Sequence, residues 1–241
     1  MYVGVDGCPE GWLAVAYTES EFAGADIFAR FADLWAAHYD ADRILIDVPI
    51  GLRESSSEPR ACDPAAREVL SPVRHHSVFP TPVRAAALGR LSRLRTTTPE
   101  RRTAGSLNRQ TWGIVPKIDA VDRFLLDTPA ARGVVRESHP EVCFRSFTGA
   151  PMTYSKTGQP KRAFWERLAA LRSVEPDVYD HLWAATASGL DGDASDGDLL
   201  DAFAVALTAR GDETGLETLP PDPETDPRGL AMEIVYRRFD E

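Results

Sequence analysis

The apolar positions of the chain fall into two kinds of run. Short, unbroken, β-branched runs predict buried strands, and apolar positions three and four apart predict helices. Tyr2-Val3-Gly4-Val5 runs straight into Asp6-Gly7, a strand that ends on a carboxylate where the backbone turns. Cys8-Pro9-Glu10 reads as a turn, and Gly11–Tyr17 returns as the second arm of a hairpin. A third strand is predicted over Ala25–Ala29. A helix follows over residues 30–39, where Phe31, Leu34, Trp35 and His38 share a face. Arg43-Ile44-Leu45-Ile46-Asp47 repeats the pattern of the first strand. Its apolar run lacks polar alternation, as in sheets covered on both faces, and Pro49 ends the ladder.

Residues 52–132 break this rhythm and read as an insertion. Arg60, Asp63 and Arg67 lie at helical spacing, residues 75–84 form a Pro-stiffened extended loop, and residues 85–95 and 117–127 are predicted helices. A fifth strand is predicted over 134–144. Its alternation puts Glu137, His139 and Glu141 on one side, with Pro140 interrupting the regularity. An amphipathic helix over 161–172, a Gly/Asp-rich loop over 188–197 and a helix over 198–209 follow. That last helix is apolar nearly all round after its first turn and is expected to be buried. Residues 211–228 read as a Pro/Asp/Glu-rich loop and residues 230–236 as an edge strand. The expected architecture is one α/β domain over residues 1–241, with a mixed sheet and a helical insertion between its fourth and fifth strands.

Composition changes this picture in two places. No stretch approaches the roughly 18 apolar residues of a membrane span, and no basic-then-apolar leader begins the chain. Three widely spaced cysteines (Cys8, Cys62, Cys143) form no Cys-x-x-Cys pair, which points to a reducing cytoplasm and away from a zinc knuckle. The net charge of −10 is unevenly distributed. Residues 51–110 hold eleven Arg, no Lys and five acids, a balance of +6 that leaves −16 for the rest of the chain. Arg74, Arg84 and Arg109, with Lys117 and the aromatic rings of Phe79 and Trp112, suit phosphate contact and base stacking. The same residues also suit a helical cap whose arginines pair with the acidic remainder.

The candidate chemistry lies in the carboxylates. Asp6 and Asp47 close two strands, which would bring both to one sheet edge, where open α/β sheets keep their sites. Asp198 and Asp201 open the buried helix and share a face. Capping accounts for Asp198 and, through the turn, for Asp6. It accounts poorly for Asp201, which precedes a wholly apolar run and calls for a cation. Together Asp6, Asp47, Asp198 and Asp201 form a hard-oxygen set for Mg²⁺ or Mn²⁺, the ions that assist phosphodiester hydrolysis. Glu137 and His139 are candidates for the same metal or for an acid/base step.

Val3-Gly4-Val5-Asp6-Gly7-Cys8-Pro9 with Gly11-Trp12, Ile46-Asp47-Val48-Pro49-Ile50-Gly51-Leu52, Ser77-Val78-Phe79-Pro80 with Arg84, Pro116-Lys117-Ile118, Glu137-x-His139-Pro140-Glu141 and Asp198-Leu199-Leu200-Asp201-Ala202 resemble one family over almost the whole chain. It is the domain-of-unknown-function 429 family, whose members are predicted RNase H-like nucleases. The resemblance implies an RNase H-like mixed five-stranded sheet. The Asp-x-x-Asp-Ala helix is also similar to that of Holliday-junction resolvases, which place acids on strand one, strand four and the last helix. Asp6, Asp47, Asp198 and Asp201 match those places. Gly197 departs from the pattern, since members more often carry a second Asp there. The expectation is a nuclease acting on DNA or RNA, with a homodimer as a further association and no membrane partner. A non-catalytic nucleic-acid-binding protein is the alternative. A sugar-kinase or actin-like phosphotransferase fits less well, because the turn after the first strand holds Pro9 and Glu10 in place of a Gly-rich phosphate loop.

Overall fold

The apolar run at the N-terminus becomes the centre of the sheet. The computed structural model describes residues 1–54, 58–87, 109–190 and 194–238. In it β1 (Tyr2–Cys8), β2 (Gly11–Tyr17) and β3 (Phe22–Phe28) form an antiparallel meander. After α1 (Phe31–Ala37), β4 (Arg43–Ile46) pairs parallel with β1, and β5 (Val135–Glu137) pairs parallel with β4. The order β3-β2-β1-β4-β5 is a mixed five-stranded α/β sheet, as expected. The insertion between β4 and β5 carries α2 (Cys62–Val69), α3 (Arg84–Ala87) and α4 (Arg109–Asp127).

Period-two alternation divides β1 and β4 between two apolar layers. Val3, Val5, Ile44 and Ile46 face Phe31 and Leu34 of α1 and Ile118, Val121 and Leu125 of α4. Tyr2, Leu13, Val15 and Leu45 face the other side. There they meet α5 (Pro140–Thr148), α6 (Pro160–Val174), α7 (Val178–Ala185) and α8 (Asp196–Ala209). The apolar surround of α8, from Leu200 to Ala209, is buried as its sequence predicts.

Gly4 sets how closely α8 approaches. A Cβ on Gly4 would stand 2.0 Å from the Ala206 backbone nitrogen and 2.5 Å from the Ala202 carbonyl oxygen. Backbone therefore packs on backbone, with Ala202 and Ala206 as the matching small residues. This contact lies two residues before Asp6 on one element and one residue after Asp201 on the other.

Several expectations change. The predicted strand over 134–144 is only three residues long, and a helix begins at Pro140 with His139 as its N-cap. Proline at the first helical position needs no N–H donor, so the residue that disturbed the strand reading starts a helix. Residues 211–228 are mostly not loop: β6 (Leu216–Thr225) pairs antiparallel with β7 (Ala231–Arg237) in a separate two-stranded sheet. The register shifts between Leu219 and Glu224, which takes the prolines of this strand out of the ladder. The last helix starts at Asp196, two residues earlier than expected. Of the helix predicted over 85–95, residues 88–95 lie outside the described residues, and the helix of 117–127 extends back to Arg109. Among the described residues, no helix is long and apolar enough to cross a membrane.

Candidate active site

Asp6, Asp47 and Asp201 line one cavity of about 470 Å³ at the carboxyl edge of β1 and β4. Each arrives from a different element. Asp6 sits near the end of β1, 8% exposed, and accepts a hydrogen bond from the Gly7 N–H at 2.7 Å. Asp47 follows β4, held by its own N–H donating to the Val5 carbonyl at 3.0 Å. Asp201 projects from the second turn of α8 and is 5% exposed. The turn-capping bond of Asp6 engages only one carboxylate oxygen, so it does not exhaust that side chain.

Gathering three acids in a buried place raises the cost of ionising each. Burial, then the neighbouring Asp47 and Asp201, holds Asp6 well above the usual carboxylate range. Burial pushes Asp47 up to about 6, opposed by the nearby His139. Asp201 is also raised by burial, against the pull of Lys156. The Lys156 ammonium pairs directly with Asp201 Oδ2 and lowers all three acids by its charge. Burial works against the charge on Lys156 itself, yet Asp201 and Asp6 keep it raised.

The remaining candidates take separate places. Asp198 is the third residue of α8 in a capping box: it accepts from the Ser195 N–H at 3.1 Å, and the Asp198 N–H donates to Ser195 Oγ at 3.2 Å. Its charge is still felt at Asp6. Glu137 reaches the cavity wall, but both of its oxygens are held by Arg60, at 2.6 and 2.9 Å, and one also takes the Ile50 N–H at 2.7 Å. His139 lines the cavity while its Nδ1 accepts from the Glu141 N–H at 3.2 Å, a cap. Glu141 lies in the first turn of α5 and pairs with Arg74 at 2.9 Å and with Arg167. The three residues are therefore not alternating neighbours on one strand.

The basic candidates also separate. Lys117 lines the cavity with its stem against Gly7, and its ammonium donates to the Cys8 and Gly11 carbonyls at 3.0 and 2.5 Å. It stands 4.6 Å from the centre of the Trp12 ring. Arg74 lines the cavity rim. Arg84 does not face phosphate: it is 2% exposed and enclosed by Asp122, Asp226 and Glu54. A short Ala-rich helix carries it inward, so the charge that looked free in the sequence is neutralised inside the fold. Arg109 begins α4, and its side chain lies outside the described residues.

Sequence reading missed Lys156 and Arg60 as parts of this site. Lys156 belongs to a polar loop with no periodicity, and its only signal was rarity, as one of three lysines in the chain. Arg60 finds Glu137 across 77 positions, a separation no local pattern reveals.

Among the described residues, no group of three or more His, Cys, Asp or Glu is gathered tightly enough to hold a metal ion as it stands. The donor set nonetheless suits a hard divalent cation. Three carboxylates face one cavity, and Asp201 Oδ1 is buried with no hydrogen-bond partner among the described residues. Glu141 Oε2, on the same cavity, is in the same condition. No curated protein and no solved structure matches the chain. Residues 4–225 match the family model described as "Protein of unknown function (DUF429)", and the chain belongs to that family.

Proposed function

Taking that membership as the premise, we propose that the chain is a metal-dependent nuclease that hydrolyses phosphodiester bonds in DNA or RNA on an RNase H-like fold. One observation carries the reading: three separate elements deliver carboxylates to one cavity, Asp6 and Asp201 buried and Asp47 half-buried, and Asp201 Oδ1 has no hydrogen-bond partner among the described residues. Capping explains Asp198 and part of Asp6, but neither Asp47 nor Asp201.

In this reading Asp6, Asp47 and Asp201 hold Mg²⁺ or Mn²⁺, with Asp198 close enough to bias Asp6 through its charge. When bound, the ion supplies Lewis-acid polarisation of a phosphoryl oxygen and an activated water. The chain supplies the rest. Lys156, Lys117 and Arg74 offset the acids on the cavity wall, so a phosphate meets cations as well as carboxylates. Lys117 has three N–H donors and uses two on backbone carbonyls, which leaves one for a substrate oxygen. When neutral, His139 accepts at Nδ1 and carries its proton on Nε2; only a charged His139 keeps Asp47 more ionisable than burial alone would.

The test is cleavage by purified wild type, Asp47→Asn and Asp201→Asn with Mg²⁺ and Mn²⁺, on duplex, hybrid, branched and single-stranded substrates. Either substitution should lower cleavage by orders of magnitude with nucleic-acid binding little changed. Equal trace activity in all three proteins identifies contamination and ends the nuclease reading. A second reading, a non-catalytic nucleic-acid-binding protein on the same fold, is favoured by the Lys156–Asp201 pair, which already neutralises part of the acid cluster.

A further inference from the structure

The two oxygens of Asp201 stand in different situations. Oδ2 takes the Lys156 ammonium, whereas Oδ1 is buried and has no hydrogen-bond partner among the described residues. Lys156 comes from the connection between α5 and α6 and passes over the start of α8, where its Cδ would meet a Gly197 Cβ at an ordinary 3.6 Å. Its ammonium touches Asp201, and its side chain is 37% exposed. Its charge acts on Asp6, Asp47 and Asp201 alike. Lys156 thus does for all three acids what a bound cation would do.

We propose that Lys156 is the resting occupant of the cation place, and that Mg²⁺ or Mn²⁺ binds only by displacing its ammonium from Asp201. The proposal rests on the metal-dependent reading above. Two cations cannot share one carboxylate pocket at low cost, because like charges a few ångströms apart repel strongly where water is scarce. A lysine can yield in this way, since its compact charge on a flexible stem swings aside, whereas a guanidinium fork would lock onto the carboxylate. The pair therefore keeps the acids from repelling one another in the unloaded protein, and it sets cation affinity by competition.

The full chain is titrated with Mn²⁺ by calorimetry as wild type and as Lys156→Met. Lys156 modification by an amine-reactive reagent is followed by mass spectrometry in wild type with and without Mn²⁺. Displacement predicts that Lys156→Met binds Mn²⁺ about tenfold more tightly. It also predicts that Lys156 in wild type reacts several-fold faster once Mn²⁺ is saturating. Binding only by the variant overturns the proposal, because no ion then displaces Lys156 in the wild type. Equal or weaker affinity in the variant overturns the proposal while leaving metal dependence standing. Tighter affinity with unchanged labelling also overturns it, because Lys156 then acts as a fixed charge that never moves. If neither protein binds Mn²⁺, both the proposal and the metal-dependent reading fall. Should Lys156→Met fail to fold, the wild-type labelling alone decides.

Discussion

The sheet edge and the Arg-rich insertion are built on opposite electrostatic plans. At the edge, three like charges are gathered in a buried place with one nearby ammonium, and their carboxyl groups resist ionising as a result. In the insertion, opposite charges are gathered and matched. Arg60 is enclosed by Asp63 and Glu137, Arg84 by Asp122, Asp226 and Glu54, and Arg53 reaches Glu224 at 2.6 Å. Even Arg67 is held at 2.9 Å by the Val78 carbonyl. Both regions are conspicuous in the sequence for their charge. Only the first leaves part of that charge uncompensated, with one ammonium for three acids, and an uncompensated buried acid is the one that needs a functional explanation. The arginines fasten the insertion to β5 and to the β6–β7 pair, because Glu137 lies on β5, Glu224 on β6 and Asp226 just after it.

If that contrast is right, the largest loss of stability comes from the matched side. Arg84→Ala leaves Asp122 and Asp226 buried and unpaired, which should cost roughly 3–5 kcal/mol in urea unfolding. A near-neutral effect would mean that Arg84 is free after all and would restore it as a phosphate contact. Next comes Gly4→Ala, which drives a methyl into the backbone of α8. It should cost about 3 kcal/mol and push Asp201 away from Asp6, so that any wild-type thermal response to Mn²⁺ shrinks as well. Unchanged stability would show that α8 can shift without penalty.

How much of this was readable in advance follows the range of the physics involved. The meander, β4 and α8 are set by local periodicity, and their placement of Asp6, Asp47 and Asp201 could be inferred from strand ends and one helix start. The segment from Glu137 to Glu141 was misread because two signals compete there. Period-two alternation suggested a strand, while a capping residue, a proline and an acid in succession mark a helix start. The prolines of β6 hid a strand that an edge position tolerates. For the arginines two readings stayed open, phosphate contact or pairing with the acidic remainder, and the choice for Arg84 was not legible, since its burial depends on Asp226, 142 positions away.

The acidic side predicts a smaller effect of the opposite sign. Asp47 has an ordinary carboxyl in the unfolded chain, near 3.9, and one raised to about 6 in the fold. A folded-state value above the unfolded one means that the native protein binds the extra proton. Stability therefore falls as pH rises from about 4 to about 6 and stays reduced above that. Asp47→Asn removes the penalty and should stabilise the protein at neutral pH by about 1–2 kcal/mol, allowing for solvent reaching this partly exposed group. Below about pH 4 the two proteins should melt together. The same sign makes any Mn²⁺ response of wild type strengthen as pH rises through 6, where the carboxylate becomes available. A variant that is less stable than wild type at every pH would place Asp47 on the matched side of the comparison.

The smallest effect decides where the boundary between the two plans runs. Asp198 belongs to both by sequence, as a cap and as a fourth acid, and its hydrogen bonds with Ser195 make it a cap. If capping is its whole contribution, Asp198→Ala should cost about 1 kcal/mol. Ser195→Ala, which breaks the same reciprocal box, should cost a similar amount. Mn²⁺ affinity should then fall only a few-fold in Asp198→Ala, through loss of a nearby charge, and not at all in Ser195→Ala. Asp198→Asn separates the two roles further, since an amide oxygen can still accept from the Ser195 N–H but is a weaker partner for a cation. Retained stability with Mn²⁺ binding abolished in Asp198→Asn would make it a ligand. The acid cluster would then extend one turn back along α8, and the capping box would be the resting state of a fourth metal-binding carboxylate.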